Sequence, residues 1–134
     1  MRSELFNLIK KYNYPEKGLL IQSDLIEYVD KILKNATILT YQQNGLKAFI
    51  AFYCNDIINY NAYLSLILLD EEVKGKGVGK FLLSTSIKIL KKKGFKNYGL
   101  EVLKNNDKAI KLYQSSGFEI VNENHLFYKM TKLI

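Results

Sequence analysis

Two stretches of this 134-residue chain carry side chains whose types and spacing could do chemistry together. Residues 73–80 read V-K-G-K-G-V-G-K, with Gly75, Gly77 and Gly79 at every second position and Lys74, Lys76 and Lys80 between and after them. Residues 99–118 read G-L-E-V-L-K-N-N-D-K-A-I-K-L-Y-Q-S-S-G-F and contain Glu101 in a strand-like run and Tyr113 in a helix-like one. A glycine-rich basic turn can cradle phosphate, a carboxylate can take a proton, and a phenol can give one. Metal chemistry is not indicated: Cys54 is the only cysteine and His125 the only histidine, too few for a His/Cys cluster.

Three readings of the glycine segment stand open: a phosphate cradle, a loose basic loop, or a tight connection with no ligand. Its place in the chain gives it meaning, because it follows an apolar run and opens a helical pattern. The first amides of a helix have no partner within it, and the helix dipole adds positive charge at that end, so an anion is the expected guest. Glycine lets backbone approach a diphosphate without a Cβ in the way. Two phosphate motifs do not fit. Gly75 and Gly79 enclose three residues where a Walker A loop needs four, and Lys80 is followed by Phe81. Strict alternation of Gly75, Gly77 and Gly79 is not G-x-G-x-x-G, and the segment follows hairpins rather than the first strand of a parallel sheet.

The elements that position these residues can be read from periodicity. Leu5, Leu8 and Ile9 form the apolar stripe of a first helix that stops before Pro15. Ser23 is expected to cap a second, with Leu25, Ile26, Val29, Ile32 and Leu33 at helical spacing. Ala36–Gln42 and Ala48–Cys54 read as strands around an Asn44-Gly45 hairpin turn. Residues 56–61 make a polar turn, and Ala62–Leu69 is a strand so apolar that both faces should be covered. Val78–Lys93 is expected to be a helix with Val78, Phe81, Leu82, Thr85 and Ile89 on one face, stopped by Gly94. Tyr98–Leu103 reads as a strand, 107–116 as a helix closed by Gly117, and 118–122 and 126–131 as two last strands. The order α-α-β-β-β-α-β-α-β-β predicts one domain over 1–134 with a mixed α/β sheet.

Bulk properties limit the classes of function. With 20 Lys and Arg against 13 Asp and Glu the net charge is +7, which favours an anionic partner: nucleic acid, a headgroup, or a phosphorylated small molecule. The N-terminus breaks its apolar positions with Glu4, Asn7 and Lys10, unlike a signal peptide, and the run from Ala62 to Leu69 is too short to span a membrane. A cytoplasmic protein is the expectation.

Lys74-Gly75-Lys76-Gly77-Val78-Gly79 resembles the acetyl-CoA-binding motif of the GNAT superfamily of N-acetyltransferases, [Q/R]-x-x-G-x-[G/A], with Lys in the first position. The segment 99–118 resembles that superfamily's second signature: a Leu-Glu-Val strand, then Asn106, Ala109, Ile110, Leu112, Tyr113, Gly117 and Phe118 in register. The resemblance covers residues 36–131; the strand that usually opens the fold is not evident. It implies a mostly antiparallel sheet of about six strands flanked by helices, with acetyl-CoA in the splay between the two central strands. It also implies that amides of 75–80 hold the diphosphate, with charge from Lys74, Lys76 and Lys80. Pantetheine would pair along Ile67, Leu68 and Leu69, and an amide there, at Leu69 or a neighbour, would meet charge developing on the thioester oxygen.

The resemblance gives individual residues roles, each beside a plain alternative. Asn106 caps a helix and, in the family, meets the pantetheine arm. Ala109 lets that helix lie close to the cofactor. Tyr113 is either core or the phenol that protonates the departing thiolate. Glu101 is either a solvated strand residue or, as in ribosomal-protein and N-terminal acetyltransferases, the group that takes the amine proton; near neutral pH it needs a raised pKa or a bridging water. The implied reaction is direct transfer from acetyl-CoA to a primary amine in a ternary complex. The implied partners are acetyl-CoA and a small-molecule or peptide amine, with a homodimer admitted and no nucleic acid or membrane. The acceptor site is expected from 12–21 and 54–63, including Tyr12, Tyr14, Tyr60, Tyr63, Asn55, Asp56, Asn59 and Asn61, together with Tyr53. CoA binding without catalysis, or a basic nucleic-acid-binding module, are the rival readings.

Overall fold

Two helices lead the chain, α1 (Arg2–Tyr12) and α2 (Leu25–Asn35), in a computed structural model that describes all residues from Met1 to Ile134. Strands β1 (Thr37–Gln42), β2 (Leu46–Tyr53) and β3 (Asn61–Leu69) follow as an antiparallel meander. Helix α3 (Val78–Lys92) carries the chain across to β4 (Asn97–Leu103), which lies parallel to β3. Helix α4 (Asp107–Ser115) and the antiparallel pair β5 (Glu119–Glu123) and β6 (Phe127–Leu133) complete a six-stranded sheet of order β1-β2-β3-β4-β6-β5. This is the mixed, mostly antiparallel sheet that the order of elements predicts. Asn44 and Gly45 make the first hairpin turn with φ of 55° and 99°, a left-handed pair that Asn and Gly reach most readily.

Alternation along β2 divides the interior in two. Ala48, Ile50 and Phe52 face a core shared with Val78, Leu82, Leu83 and Leu90 of α3 and Tyr113 of α4. Phe49 and Ala51 face the other, under Leu5, Leu8 and Ile9 of α1 and Val29 and Ile32 of α2.

Two local expectations are corrected. Asp24, not Ser23, caps α2: its Oδ1 accepts from the amides of Ile26 and Glu27 at 2.9 and 3.1 Å. Both residue types cap well, and the helix starts at Leu25, one residue later than a cap at Ser23 would set it. The buried stripe of α3 runs through Val78, Gly79, Leu82, Leu83, Ser86 and Leu90, while Phe81 is 65% exposed. Gly79 lies on this buried stripe, against Leu69 and Leu112.

The feature that shapes the site is a bulge in β3. Ala51 pairs with Leu66 but Phe52 with Leu64, which leaves Ser65 as an extra residue. Ala62 and Leu64 therefore face the α3 core, whereas Leu66 and Leu68 face the α1–α2 core. A bulge bends its strand and raises the local twist. Pairing between β3 and β4 covers only Asn61–Leu64 against Asn97–Leu100 and ends where the bulge begins. Beyond it, residues 65–69 and 101–103 face each other with no ladder between them.

The end of β3 is pinned by α1. Asp70 is buried, and its carboxylate accepts from the Glu72 amide and from Lys11 Nζ, each at 3.0 Å. Tyr12 Oη accepts from the Glu71 amide at 3.0 Å. The Glu72 amide, and then Lys11, hold the Asp70 carboxyl below the usual carboxylate range against the opposing effect of burial. A depressed folded-state pKa contributes stability above the unfolded value and loses it as pH falls through the folded one. Asp70→Asn should therefore melt below the wild type at pH 7. That difference should shrink as pH falls below the ordinary carboxylate range and the wild-type carboxyl takes up its proton; a gap unchanged by acid would show that the latch is not ionic.

Candidate active site

Six consecutive amides, from Gly75 to Lys80, have no acceptor within the protein; the first helical bond of α3 runs from Phe81 N to Gly77 O. Gly75 and Gly77 have φ of 76° and 79°, and a Cβ at either would meet nothing within 4 Å. Their amides thus border open space. Gly79 differs: a Cβ there would lie in van der Waals contact, 3.4 Å from Leu69 and 3.6 Å from Leu112, so this position faces the interior rather than the opening. The sequence did not show a second source of charge at this mouth. The ammonium groups of Lys11, Lys17 and Lys74 gather over the Tyr12 ring, 5.3, 5.6 and 5.5 Å from its centroid. Lys74 joins this group from the glycine turn, while Lys76 and Lys80 are exposed and in no ion pair within the protein.

From the glycine turn the splay leads inward between Ile67, Leu68 and Leu69 on β3 and the end of β4. Tyr113 is 4% exposed and packs its ring on Phe118 at 5.8 Å. Its hydroxyl makes no hydrogen bond within the protein, yet no buried polar side-chain atom is left without a partner, so this oxygen reaches open space. Tyr98 shows the contrast, with its hydroxyl sealed on Ser86 Oγ at 3.0 Å. Burial holds the Tyr113 phenol's pKa above its ordinary value, and Tyr63 adds to the effect.

Asn106 caps α4, its Oδ1 accepting from the Ala109 amide at 3.2 Å. Its Nδ2 donates to the Gly18 carbonyl at 3.0 Å, and Asn105 Nδ2 donates to the Pro15 carbonyl at 3.1 Å. The α1–α2 connection is thereby strapped to the end of β4 beside the splay. A Cβ on Gly18, whose φ is 85°, would stand 2.7 Å from Asn106 Nδ2. Asn106→Ala should lower the melting temperature by about 4 °C or more, since losing an Asn cap costs about 1 kcal/mol. Gly18→Ala should also destabilise, but by less in the Asn106→Ala background, where its clash is gone. Additive losses in a melting series of the two single variants and the double would refute the strap.

Glu101 lies on the face of β4 opposite to buried Leu100 and Val102 and is exposed, as alternation predicts. Its diagonal neighbour on β3, at the edge of the splay, is Tyr63, whose phenol pKa is pushed up to about 12, first by burial and then by the Glu101 carboxylate. Tyr63 is also one wall of a cavity of about 480 Å³ shared by Ser23, Glu27, Tyr28 and Lys31 from α2 and its lead-in, Tyr53 from β2, and Ser65 at the bulge. Tyr28 Oη and Ser65 Oγ are 2.6 Å apart and form its floor.

Of the aromatics expected to line an acceptor site, only Tyr53 and Tyr63 reach this cavity. Tyr60 packs on Phe95 at 5.5 Å, at the opposite end of β4 from the splay. Asp56 caps its own turn through the amides of Ile58 and Asn59, Asn55 binds the Asn35 carbonyl, and Asn61 binds Asn97. The β2–β3 loop lies at the end where β3 begins, whereas the splay opens where β3 ends. His125 sits exposed in the last turn, and no cluster of His, Cys, Asp and Glu that could hold a metal forms.

A sheet parted after a bulge, a basic glycine turn at its mouth and a phenol on its floor define a cleft that can hold a long anionic thioester against an amine. The chain belongs to the GNAT family of acetyltransferases, whose model matches residues 3–118. It is 35% identical over 89 residues to the [ribosomal protein bS18]-alanine N-acetyltransferase of Escherichia coli K12, covering 66% of this chain and 59% of that protein. It is 29% identical over 141 residues to acetyltransferase PseH of Campylobacter jejuni, covering 96% and 85% of the two chains. In fold it matches the PaiA N-acetyltransferase of Thermoplasma acidophilum, solved in complex with coenzyme A: TM-score 0.78, 24% identity, 99% of this chain and 92% of that one.

Proposed function

We propose that this protein transfers the acetyl group of acetyl-CoA to a primary amine of a small molecule or peptide by direct attack, acting as one domain over 1–134 in the cytoplasm. The observation that carries the reading is the row of partnerless amides from Gly75 to Lys80 beside a cleft whose floor presents the free hydroxyl of Tyr113. A diphosphate fits those amides, because each can donate and no side chain fills the space around Gly75 and Gly77. The family match and the N-acetyltransferase relatives support the same donor.

Bound there, acetyl-CoA supplies an activated acyl group as a thioester; the rest is done by this chain. Amides 75–80 take the diphosphate, with Val78 and Gly79 opening α3 beneath it. Lys74, Lys76 and Lys80, joined by Lys11 and Lys17, supply the positive field. The unladdered edge of Ile67, Leu68 and Leu69 pairs with the pantetheine amides as an added strand, and an amide of that edge faces negative charge developing on the thioester oxygen. Ala109 leaves room beside the arm. Asn106 acts at one remove, since its side chain is taken up by the α4 cap and the Gly18 carbonyl. Glu101, directly or through water, takes the proton of the attacking amine, and Tyr113 gives one to the departing thiolate.

The test is thiol release from acetyl-CoA across a panel of primary amines and peptides. Amine-dependent thiol release is the expected result. Acetyl-CoA binding with no transfer to any amine would leave the fold as a CoA-binding module and refute the enzyme.

A further inference from the structure

We infer that the acceptor carries a carboxylate at the far end from its amine, held by Lys31; this rests on the proposed reaction and specifies its second substrate. The cavity under α2 is lined by two charged side chains, Lys31 and Glu27. Lys31 Nζ stands 6.0 Å from the centre of the Tyr53 ring and has no carboxylate within 4.0 Å, although Glu27 lies one turn before it on α2. Past Tyr63, which pairs with Gly99, comes Glu101 two residues further along the same face of β4, the group assigned to the amine. The cavity thus has Lys31 and Glu27 at its α2 rim and leads past tyrosine faces and the Tyr28–Ser65 pair toward the Glu101 carboxylate.

Strand positions set the length of the guest. Tyr53, beneath Lys31, belongs to β2; Tyr63 pairs with it on β3; Glu101 is on β4. Two strand spacings across the sheet, with the two-residue offset from Gly99 to Glu101 along β4, make the charged ends about 12 Å apart. Subtracting a hydrogen bond of about 2.8 Å at each end leaves about 6 Å between amine nitrogen and carboxylate oxygen. An α-amino acid holds its two charges closer than that. A γ-amino acid or a dipeptide reaches across with its chain against the aromatic faces. Lys31 repels a second ammonium at this rim while Glu27, one turn away, attracts it, so a diamine is the competing guest that the test must separate from the carboxylates.

The experiment has a binding arm and a transfer arm, each with γ-aminobutyrate, diglycine, their carboxamides, glycine and 1,4-diaminobutane as probes. Calorimetry on the CoA-saturated protein reads binding; thiol release from acetyl-CoA reads transfer. The carboxylates should bind at least about tenfold tighter than their amides, than glycine and than the diamine. Lys31→Met, at an exposed position where folding is not at stake, should bring that ratio to one, and Lys31→Glu should reverse it. A preference among the two carboxylates separates the amino acid from the peptide as the source of the same end groups. Transfer without preference for the carboxylates, or a preference that survives Lys31→Met, overturns the inference and leaves the enzyme reading intact. A charge preference in binding with no transfer to any probe upholds the pocket and counts against the proposed reaction.

Discussion

Replacing Tyr113 by Phe is expected to lower kcat by about a hundredfold or more, the usual weight of a positioned proton donor, while leaving CoA affinity within about twofold. The substitution removes one oxygen and keeps the ring that packs on Phe118, so the core should stay intact. That oxygen is the part of the residue with no partner in the protein. Steady-state kinetics paired with calorimetry separates the two effects, and unchanged turnover removes Tyr113 from the chemistry. The pH dependence follows from the raised pKa of the phenol, which stays protonated past its ordinary value of about 10. The rate should therefore rise with pH as the amine is freed and show no fall below about pH 10 from loss of this acid.

Gly77→Val should abolish CoA binding, lowering affinity at least about a hundredfold by calorimetry. Two costs combine here. A β-branched residue at φ of 79° strains the backbone by about 1–2 kcal/mol, and its side chain occupies the space in front of the amides. Gly45→Val is the control. It also has a positive φ, 99°, with nothing within 4 Å, but it lies in the β1–β2 turn. Both variants should lose similar stability, and only Gly77→Val should lose the cofactor. Equal binding by the two would mean that the glycine turn is a connection and not a cradle.

Much of the site was legible because its parts are local. The glycine turn, the cap at Asn106, the stop at Gly117 and the face of Glu101 all follow from residue type and short-range periodicity, and each lies where the pattern puts it. What escaped the sequence depends on partners. Leu64 and Leu66 have the same parity in β3, yet they enter different cores, because the register against β2 slips at Ser65. The only local hint is a serine inside the run Y-L-S-L-I-L-L. The cavity proposed for the acceptor is assembled from α2, β2 and β3, and its charges at Glu27 and Lys31 read in sequence only as the polar side of an amphipathic helix. Tyr60 looked equally suitable, but strand direction sends it to the other end of the sheet, where it packs on Phe95. Lys17 owes its position to the strap that Asn105 and Asn106 place on the α1–α2 connection.

The most direct measurement is a crystal structure of the protein with coenzyme A bound. The account predicts diphosphate oxygens within hydrogen-bonding distance of the amides between Gly75 and Lys80, pantetheine laid along Ile67–Leu69, and the sulfur beside Tyr113 Oη. A diphosphate held elsewhere, or a sulfur out of reach of that hydroxyl, would contradict it.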